Sequence, residues 1–170
     1  NSNDLLINGV DIGGLSVAAT GGDRTAQLVA AINAKTSMTG VTAKADANVI
    51  VGDAFTASNT AKSLYVNGVT VSLTADQSST RAGIVAEVNK VTGQTGVVAT
   101  DNGRGLTLTA ADGRNISLGA ITGGTAAANA NMLGLESGNI KVHQTAMSFA
   151  ESYTTYGSVT LTSELAFNLE

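Results

Sequence analysis

Few side chains in this sequence have the types and spacing that catalysis requires. The single histidine, His143, lies in the segment Lys-Val-His-Gln, and the chain has no second histidine and no cysteine. A zinc site needs several such ligands, and a nucleophilic triad needs a serine or cysteine and an acid around the histidine. We therefore predict that the chain is not an enzyme and has no catalytic, cofactor-binding or metal-binding residues.

The acidic side chains follow the pattern of turns rather than that of an ion site. Asp-Asn-Gly at 101–103 lacks the remaining ligands of an EF-hand loop. Aspartate commonly stabilises a turn by accepting a hydrogen bond from its own backbone two residues further on. We predict turn roles, and not calcium binding, for the aspartates that lie mostly beside Gly or Asn: Asp46, Asp53, Asp76, Asp101 and Asp112.

Two further short patterns resemble functional motifs without meeting their requirements. Gly21-Gly22 and Gly123-Gly124 are not followed by the Lys-Ser/Thr of a phosphate-binding loop. Asn115-Ile116-Ser117 has the spelling of an N-glycosylation site, yet it lies in a predicted strand. We assign neither pattern a function.

The composition indicates a folded, β-rich protein without a nucleic-acid or membrane partner. The 170 residues are 43% hydrophobic but only 4% aromatic, so any core is built from Val, Ile, Leu and Ala. Charged residues make up 13%, about half the usual quarter, and the net charge is −4. The low net charge and the periodic aliphatic residues argue against disorder. No basic stripe is present to bind nucleic acid, and no apolar run reaches the ~20 residues that span a bilayer.

The elements that must position these side chains form an internal repeat. Leu-Ile-Asn-Gly-Val at 6–10 returns as Tyr-Val-Asn-Gly-Val at 65–69, and Leu-Val-Ala-Ala-Ile-Asn at 28–33 returns as Ile-Val-Ala-Glu-Val-Asn at 84–89. A Gly-Val pair follows each second motif, and the two pairs are 56 residues apart. The Asn-Gly turns are 59 residues apart, so a loop absorbs the difference. A repeat of this length indicates one structural unit used twice.

A β-hairpin is expected at the start of each unit. Asn-Gly favours the positive φ angles of a tight two-residue turn, and it occurs at Asn8-Gly9 and Asn67-Gly68. The predicted hairpins are 5–10 with 11–15, and 64–69 with 71–73.

A short amphipathic helix should follow each hairpin. Asp23 and Ser79 are both good N-caps and are 56 residues apart. The first helix should run from about Arg24 to Ala34. We expect Glu87 in the second helix to be solvated. Apolar residues recur at i, i+1 and i+4 on one face of each helix: Leu28, Val29 and Ile32 in the first, and Ile84, Val85 and Val88 in the second. Val85 and Val88 should pack against Val66, Val97 and Leu108.

Strands follow the two Gly-Val pairs. Val41–Ala45 alternates as a half-buried strand, and Asn48–Val51 is its expected partner. In the second unit, glycine turns separate runs at 97–100, 106–109 and 115–118, a pattern that predicts a β-meander. Residues 55–61 look like a linker.

The remaining chain has a different character. We predict a short helix over 125–133 that stops at Gly134, and strands at 140–142 and 159–162. Phe149, Tyr153 and Tyr156 make up half of the aromatic residues, and we interpret their segment as a small core plug.

These predictions define an α+β fold that is rich in β-strands. It has two repeated units of short antiparallel strands, each packed with one short helix, and a C-terminal β-containing segment. We expect boundaries at 1–56, 57–120 and 121–170. The final Leu169-Glu170 has the form of a cloning scar, so we interpret the chain as an excised fragment.

The order of these pieces resembles the flagellin hook IN motif, which is found in bacterial flagellins and hook-associated proteins. An Ile-Asn-Gly-type turn, a short helix ending in Ile/Val-Asn and a Gly-Val strand occur over 5–45 and again over 64–118. Asp-Gly-Arg-Asn-Ile at 112–116 is similar to the closing strand of flagellin outer domains. Tyr-Gly-Ser-Val-Thr-Leu at 156–161 resembles a segment near the end of such domains.

The resemblance implies a structural protein, the variable, surface-exposed outer region of a flagellin. Such a domain is secreted, lies in the extracellular bacterial flagellum, supports motility and presents a variable antigenic surface. Its partners would be other flagellin subunits, through terminal helices that this sequence lacks, so the fragment is expected to be monomeric. O-linked glycans on exposed Ser or Thr are a further family feature.

Two alternatives share parts of this pattern. A hook-associated or filament-capping protein is a close variant, because such proteins carry the same motif. A carbohydrate- or host-binding adhesin module uses similar short strands and Thr-rich faces. Adhesin modules usually show exposed aromatic residues or clustered acids, whereas here the aromatic residues are few and the acids are scattered.

Overall fold

The computed structural model describes residues 5–13, 24–120, 131, 134, 141–142 and 153–170. These residues combine small, mostly antiparallel sheets with short helices, which confirms the α+β prediction. The helices are α1 Arg24–Asn33, α2 Thr36–Thr39, α3 Ala75–Ser78, α4 Arg81–Lys90 and α5 Thr92–Thr95. The strands are β1 Leu6–Ile7, β2 Val10–Asp11, β3 Val41–Ala45, β4 Asn48–Val51, β5 Lys62–Val66, β6 Val69–Leu73, β7 Val98–Asp101, β8 Leu106–Ala110, β9 Ile116–Ala120, β10 Lys141–Val142, β11 Tyr153–Thr155 and β12 Val159–Ser163.

Both predicted hairpins are present. β1 pairs with β2, and β5 pairs with β6, each antiparallel across an Asn-Gly turn. The asparagines Asn8 and Asn67 have φ angles of 51° and 44°, and the glycines that follow have 74° and 89°. Positive φ at both central residues is the geometry of a type I′ turn, which Asn-Gly favours because it matches the twist of the strands.

Both amphipathic helices form where the apolar spacing predicts them. Ile32 of α1 and Ile84 and Val88 of α4 are buried, while the neighbouring apolar residues of each stripe are half-buried against the same clusters. The expected N-cap Asp23 lies outside the described residues. The single-face packing of the repeated apolar triplet is therefore confirmed in both helices.

The predicted N-cap of the second helix is wrong by one residue. Thr80 caps α4, because its hydroxyl accepts a hydrogen bond from the Gly83 N–H at 3.1 Å. Ser79 instead ends α3, a helical turn that the sequence pattern did not predict. This turn starts with a capping box of Thr74 and Gln77, in which each side chain bonds to the other residue's backbone N–H.

The same short helix changes the surroundings of Glu87. Its side chain is only 15% exposed, so the expectation that it is solvated is wrong. The Oε1 atom accepts a hydrogen bond from Gln77 Nε2 at 2.5 Å and from Lys90 Nζ at 2.6 Å. Because α3 packs against α4, it covers a part of the helix surface that would otherwise face water.

Strand β4 pairs with β8, and not with β3 as predicted. Only Asp46 and Ala47 separate β3 from β4, and Asp-Ala lacks the preference for positive φ that a two-residue hairpin turn requires. Ile50 of β4 is instead buried in the cluster of the second unit. The edge of β3 is taken by β12, which pairs with it over five residues.

The predicted three-stranded meander is also wrong. β7 and β8 form its first hairpin, but β9 pairs with β5 in a different sheet. The reason is that β8 lies between β4 and β7, so neither of its edges is free. β9 is further paired with β10 in parallel and with β11 antiparallel.

Two hydrophobic clusters lie beneath these sheets. The larger belongs to the second unit and joins Val66, Val88, Val97 and Leu108, as predicted, with Val85 packed against it. The smaller belongs to the first unit and is centred on the buried residues Ile7, Ile12, Ile32, Val41 and Ala43. Leu161 and Phe167, from the end of the chain, pack against this smaller cluster.

The strands of the tail agree with the predictions, but Tyr156 is not part of the predicted aromatic plug. β10 and β12 correspond to the predicted strands. The helix expected over 125–133 lies outside the described residues except for position 131, and Phe149 also lies outside them. Tyr156 is 70% exposed and therefore does not belong to a core. It lies in the connection between β11 and β12, which belong to different sheets.

Candidate functional site

The asparagine at the end of each repeated helix holds the neighbouring strand. Asn33 Nδ2 donates to the Ala43 carbonyl at 2.9 Å, and its Oδ1 accepts from the Ala43 N–H at 2.7 Å. Asn89 makes the same two bonds with Ala99, at 2.9 and 2.8 Å. Each side-chain amide thus supplies the partners that an adjacent strand would otherwise give to these backbone groups.

The asparagine of each hairpin turn makes a second contact of the same kind. Asn8 Nδ2 donates to the Thr39 carbonyl at 2.8 Å, and Asn67 Nδ2 donates to the Thr95 carbonyl at 2.9 Å. These carbonyls belong to the last residues of α2 and α5. The turn is therefore tied to the loop between the helix and the strand. We call Asn8, Asn33, Asn67 and Asn89 the asparagine clamps.

The turn asparagines also bind the segment that closes each unit. Asn8 Oδ1 accepts from the Asn168 N–H at 2.9 Å, and Asn67 Oδ1 accepts from the Ser117 N–H at 2.7 Å. Ser117 lies in β9, and Asn168 belongs to the end of the chain. Residues 168–170 therefore lie beside β1 as β9 lies beside β5, with backbone bonds in both directions between positions 6 and 170.

The loop between helix and strand has the same internal bonds in both units. The first threonines of α2 and α5, Thr36 and Thr92, donate to the carbonyl of the valine after each glycine at 2.8 and 2.9 Å. Gly40 and Gly96 have φ angles of 70° and 69°, a left-handed conformation that suits glycine. The sequence repeat therefore corresponds to the same individual hydrogen bonds in both units.

The aspartates are involved in local and cross-strand contacts. Asp101 accepts from the Gly103 N–H at 2.8 Å and from Arg81 Nε at 2.7 Å, and these bonds, the first above all, lower the pKa of Asp101. The hydrogen bond from Arg114 lowers the pKa of Asp112. Asp46 accepts from the Thr160 hydroxyl across the β3–β12 pair.

The other two aspartates have weaker or purely positional roles. Asp53 is 3.9 Å from the guanidinium of Arg104, and both side chains are largely exposed. Asp76 lies in the first turn of α3, where a negative charge interacts favourably with the helix dipole.

The structure does not gather these acids into an ion site. Among the described residues, no three His, Cys, Asp or Glu side chains are placed to hold a metal ion. His143 and both glycine pairs, Gly21-Gly22 and Gly123-Gly124, lie outside the described residues. Asn115 of the glycosylation-like triplet is buried, and its Oδ1 accepts from the Gly157 N–H at 3.2 Å.

Comparison with known families finds a match to the first part of the chain. Residues 4–61 match the family model of the flagellin hook IN motif. Over this stretch the chain is similar to the flagellin hook IN motif. The matched residues include the first hairpin, α1 and β3, and with them Asn8 and Asn33. A comparison with curated proteins found none that matches the chain.

The match to the IN motif supports a flagellin-related structural role. None of the helices in the described part of the chain is long and apolar enough to cross a membrane.

The sequence reading identified these asparagines as turn and helix-end markers but missed their contacts. One signal was available. The bonds from Asn33 to Ala43 and from Asn89 to Ala99 both span ten residues, so each clamp and its alanine keep the same spacing in both copies. Such a clamp can be recognised in a sequence by two features. An asparagine has the same spacing to a strand in each copy, and a loop that ends in glycine lies between them.

Proposed function

We propose that this chain is the surface-exposed outer domain of a flagellin, which supports motility and presents a variable antigenic surface on the filament. The observation that carries the proposal is the flagellin hook IN motif over residues 4–61. The repeat of its asparagine clamps in the second unit supports a purely structural role, because these side chains bind backbone groups and not a substrate.

The clamps also fit a domain whose surface varies. Their hydrogen bonds go to main-chain atoms, so neighbouring side chains can change without breaking them. Exposed turns are likewise held by their own residues: Asn102 Oδ1 accepts from the N–H groups of Arg104 and Gly105 at 3.0 and 2.7 Å. Such turns can accept substitutions away from the hydrophobic clusters at little cost in stability.

The composition supports refolding after export. The chain has no cysteine and no proline, so refolding outside the cell meets neither disulfide pairing nor slow prolyl isomerisation. A secreted filament subunit benefits from both properties, because it must fold at its site of assembly.

Immunogold labelling of intact flagella with antibodies raised against this chain tests the proposal. Gold along the whole filament is the expected result. Gold confined to the hook junction or the filament tip would replace the proposal with a hook-associated or filament-capping protein. Gold on the cell body with bare filaments would contradict a flagellar role and favour an adhesin. Deleting residues 46–157 from the parent protein should leave filaments that bind these antibodies less strongly, because only the epitopes of the first unit remain.

A further inference from the structure

The two units differ at one corresponding position, beside the glycine that ends the short helix. In the second unit the guanidinium of Arg114 lies against Gly96, so closely that a Cβ atom added to Gly96 would overlap it. Asp112 holds this guanidinium through its Oδ2 atom, at 2.8 Å from Nε and 2.6 Å from Nη2. An arginine–aspartate pair therefore fills the space over this loop.

In the first unit no described residue fills the corresponding space. No described atom lies within 4 Å of a Cβ built on Gly40. A cleft of about 250 Å³ begins there and is lined by Thr39, Gly40, Ser163, Glu164 and Leu165, together with Asn8 and Ala166. We call it the Gly40 cleft.

The connecting loop explains the difference between the units. Five residues join Ala110 to Ile116, and they supply both Asp112 and Arg114. Only three residues, at 164–166, join β12 to Phe167, and none of them is an arginine. The acid is retained as Glu164, but the cation is not. Leu165 is 80% exposed, so it does not fill the cleft.

Among the described residues, Glu164 therefore has no arginine partner that corresponds to Arg114. It lines the Gly40 cleft and makes no ion pair with any residue that the structure describes. Because Gly40 has no side chain, a planar group can lie against it, as the guanidinium of Arg114 lies against Gly96. A guanidinium can also bond a carboxylate through two parallel N–H groups, which an ammonium cannot do.

We propose that the Gly40 cleft binds the guanidinium of an arginine side chain presented by a partner protein chain. The ligand takes the position that Arg114 occupies in the second unit, with Glu164 in the role of Asp112. A single exposed charged contact of this kind is weak. It acts in an assembly, where a neighbouring chain holds the arginine at a high local concentration.

Titration with N-acetyl-arginine amide, followed by amide chemical shifts of the ¹⁵N-labelled chain, tests the proposal. The amides of Thr39, Gly40 and Glu164 should shift and approach saturation on the order of tens of millimolar. Gly96 should not respond, because its own arginine covers it. The citrulline analogue, which has the same shape without the charge, should produce at least fivefold smaller shifts. No response at Gly40, or equal responses to the two probes, would overturn the proposal.

Three surface variants sharpen the result. Glu164→Gln should weaken the response to the arginine probe at least fivefold, whereas Glu170→Gln, which removes the same charge from the same unit, should leave it unchanged. Leu165→Arg should abolish the response by filling the cleft from within. All three changed positions are exposed, so melting temperatures should stay near that of the unmodified chain. Equal binding by Glu164→Gln and Glu170→Gln would show that the response does not depend on the cleft.

Discussion

Replacing Asn89 by alanine removes one clamp while leaving the apolar face of α4 intact. The change strips the Ala99 N–H and carbonyl of their partners, at 2.8 and 2.9 Å. Ala99 is only 1% exposed, so its backbone groups are poorly placed to bond water instead. Because Ala99 lies in β7 and belongs to the larger cluster, the loss should loosen the attachment of α4 to the sheet.

The magnitude follows from the two hydrogen bonds. A buried backbone group left without a partner costs about 1–3 kcal/mol. Asn89 itself is exposed, so some water can reach its side of the strand once the amide is gone. Alanine also favours a helix slightly more than asparagine. We therefore expect Asn89→Ala to lower the free energy of unfolding by about 2 kcal/mol in total.

Asn89→Asp separates the donor from the acceptor. The introduced carboxylate can still accept from the Ala99 N–H, but it places a second acceptor against the Ala99 carbonyl. Protonation restores a donor, so the folded state should raise the pKa of the introduced carboxyl group above the ordinary ~3.9. The stability that comes from the protonated form is then present below pH ~4 and is lost as the pH rises through the raised pKa. Relative to Asn89→Ala, the Asn89→Asp variant should gain stability on acidification.

Urea unfolding at neutral and acid pH, with amide hydrogen exchange at Ala99, measures both effects. The matched control is Gln27→Ala, which removes an exposed side-chain amide from α1 and should change stability by less than about 0.5 kcal/mol. If Asn89→Ala is as mild as Gln27→Ala, the clamp does not stabilise the fold. If the stabilities of Asn89→Asp and Asn89→Ala differ by the same amount at both pH values, the assignment of donor and acceptor is wrong.

Four further outcomes are expected. Val88→Ala should lower the free energy of unfolding by about 1–3 kcal/mol, because Val88 is fully buried. Glu87→Ala should lower it by about 1 kcal/mol, because the change removes two hydrogen bonds. Equal losses of stability in urea melts of the two variants would contradict the larger effect expected for Val88→Ala. Asp112→Asn should flatten the loss of stability below pH ~4, because the wild-type carboxyl has a lowered pKa and its contribution disappears as the pH falls through that value; an unchanged acid-unfolding profile would refute it. Analytical ultracentrifugation should find a monomer, and a dimer would contradict this expectation. If Val51→Lys dissociated such a dimer, the contact would lie on the exposed face of β4. Leu161→Ala should speed amide exchange in the first unit, although Leu161 is more than a hundred residues away in the sequence; faster exchange confined to 121–170 would show that β12 does not belong with β3.

The sequence predicted the parts of the fold that depend on neighbouring residues. Asn-Gly specified both hairpin turns because few other residue pairs adopt positive φ twice in succession. The i, i+1, i+4 spacing specified the buried faces of α1 and α4 because it reflects the helix period directly. The short helix α3 was missed, even though Thr74 and Gln77 form a capping box, because four residues are too few to show a period.

Strand partners could not be read in the same way. A half-buried strand has the same alternation whichever strand it joins, so nothing in Asn48–Val51 distinguishes β3 from β8 as its neighbour. The choice depends on which edges remain free once the other strands have paired. The environment of Glu87 was missed for a related reason, because the residue that covers it, Gln77, belongs to an element that the pattern did not predict.

The strand pairing bears on where the units begin and end. The boundaries at 56 and 120 remain predictions, but the hydrogen bonds support a nested arrangement. The first unit would consist of residues 5–45 and 158–170, with the second unit inserted between them. β12 pairs with β3, and Leu169 bridges to Ile7, so the first unit takes its closing strands from the far end of the chain.

This nesting bears on how such a chain can fold. Joining β3 to β12 without help would require closing a loop of more than a hundred residues, at an entropic cost that grows with loop length. The folded second unit removes most of that cost. Asn48 Nδ2 donates to the Thr155 carbonyl at 2.9 Å, and the Asp46 N–H donates to the Ser158 carbonyl at 3.0 Å. These bonds hold the first and last residues of the inserted unit side by side. β12 can then reach the edge of β3, which is free because Asp46-Ala47 does not form a hairpin turn.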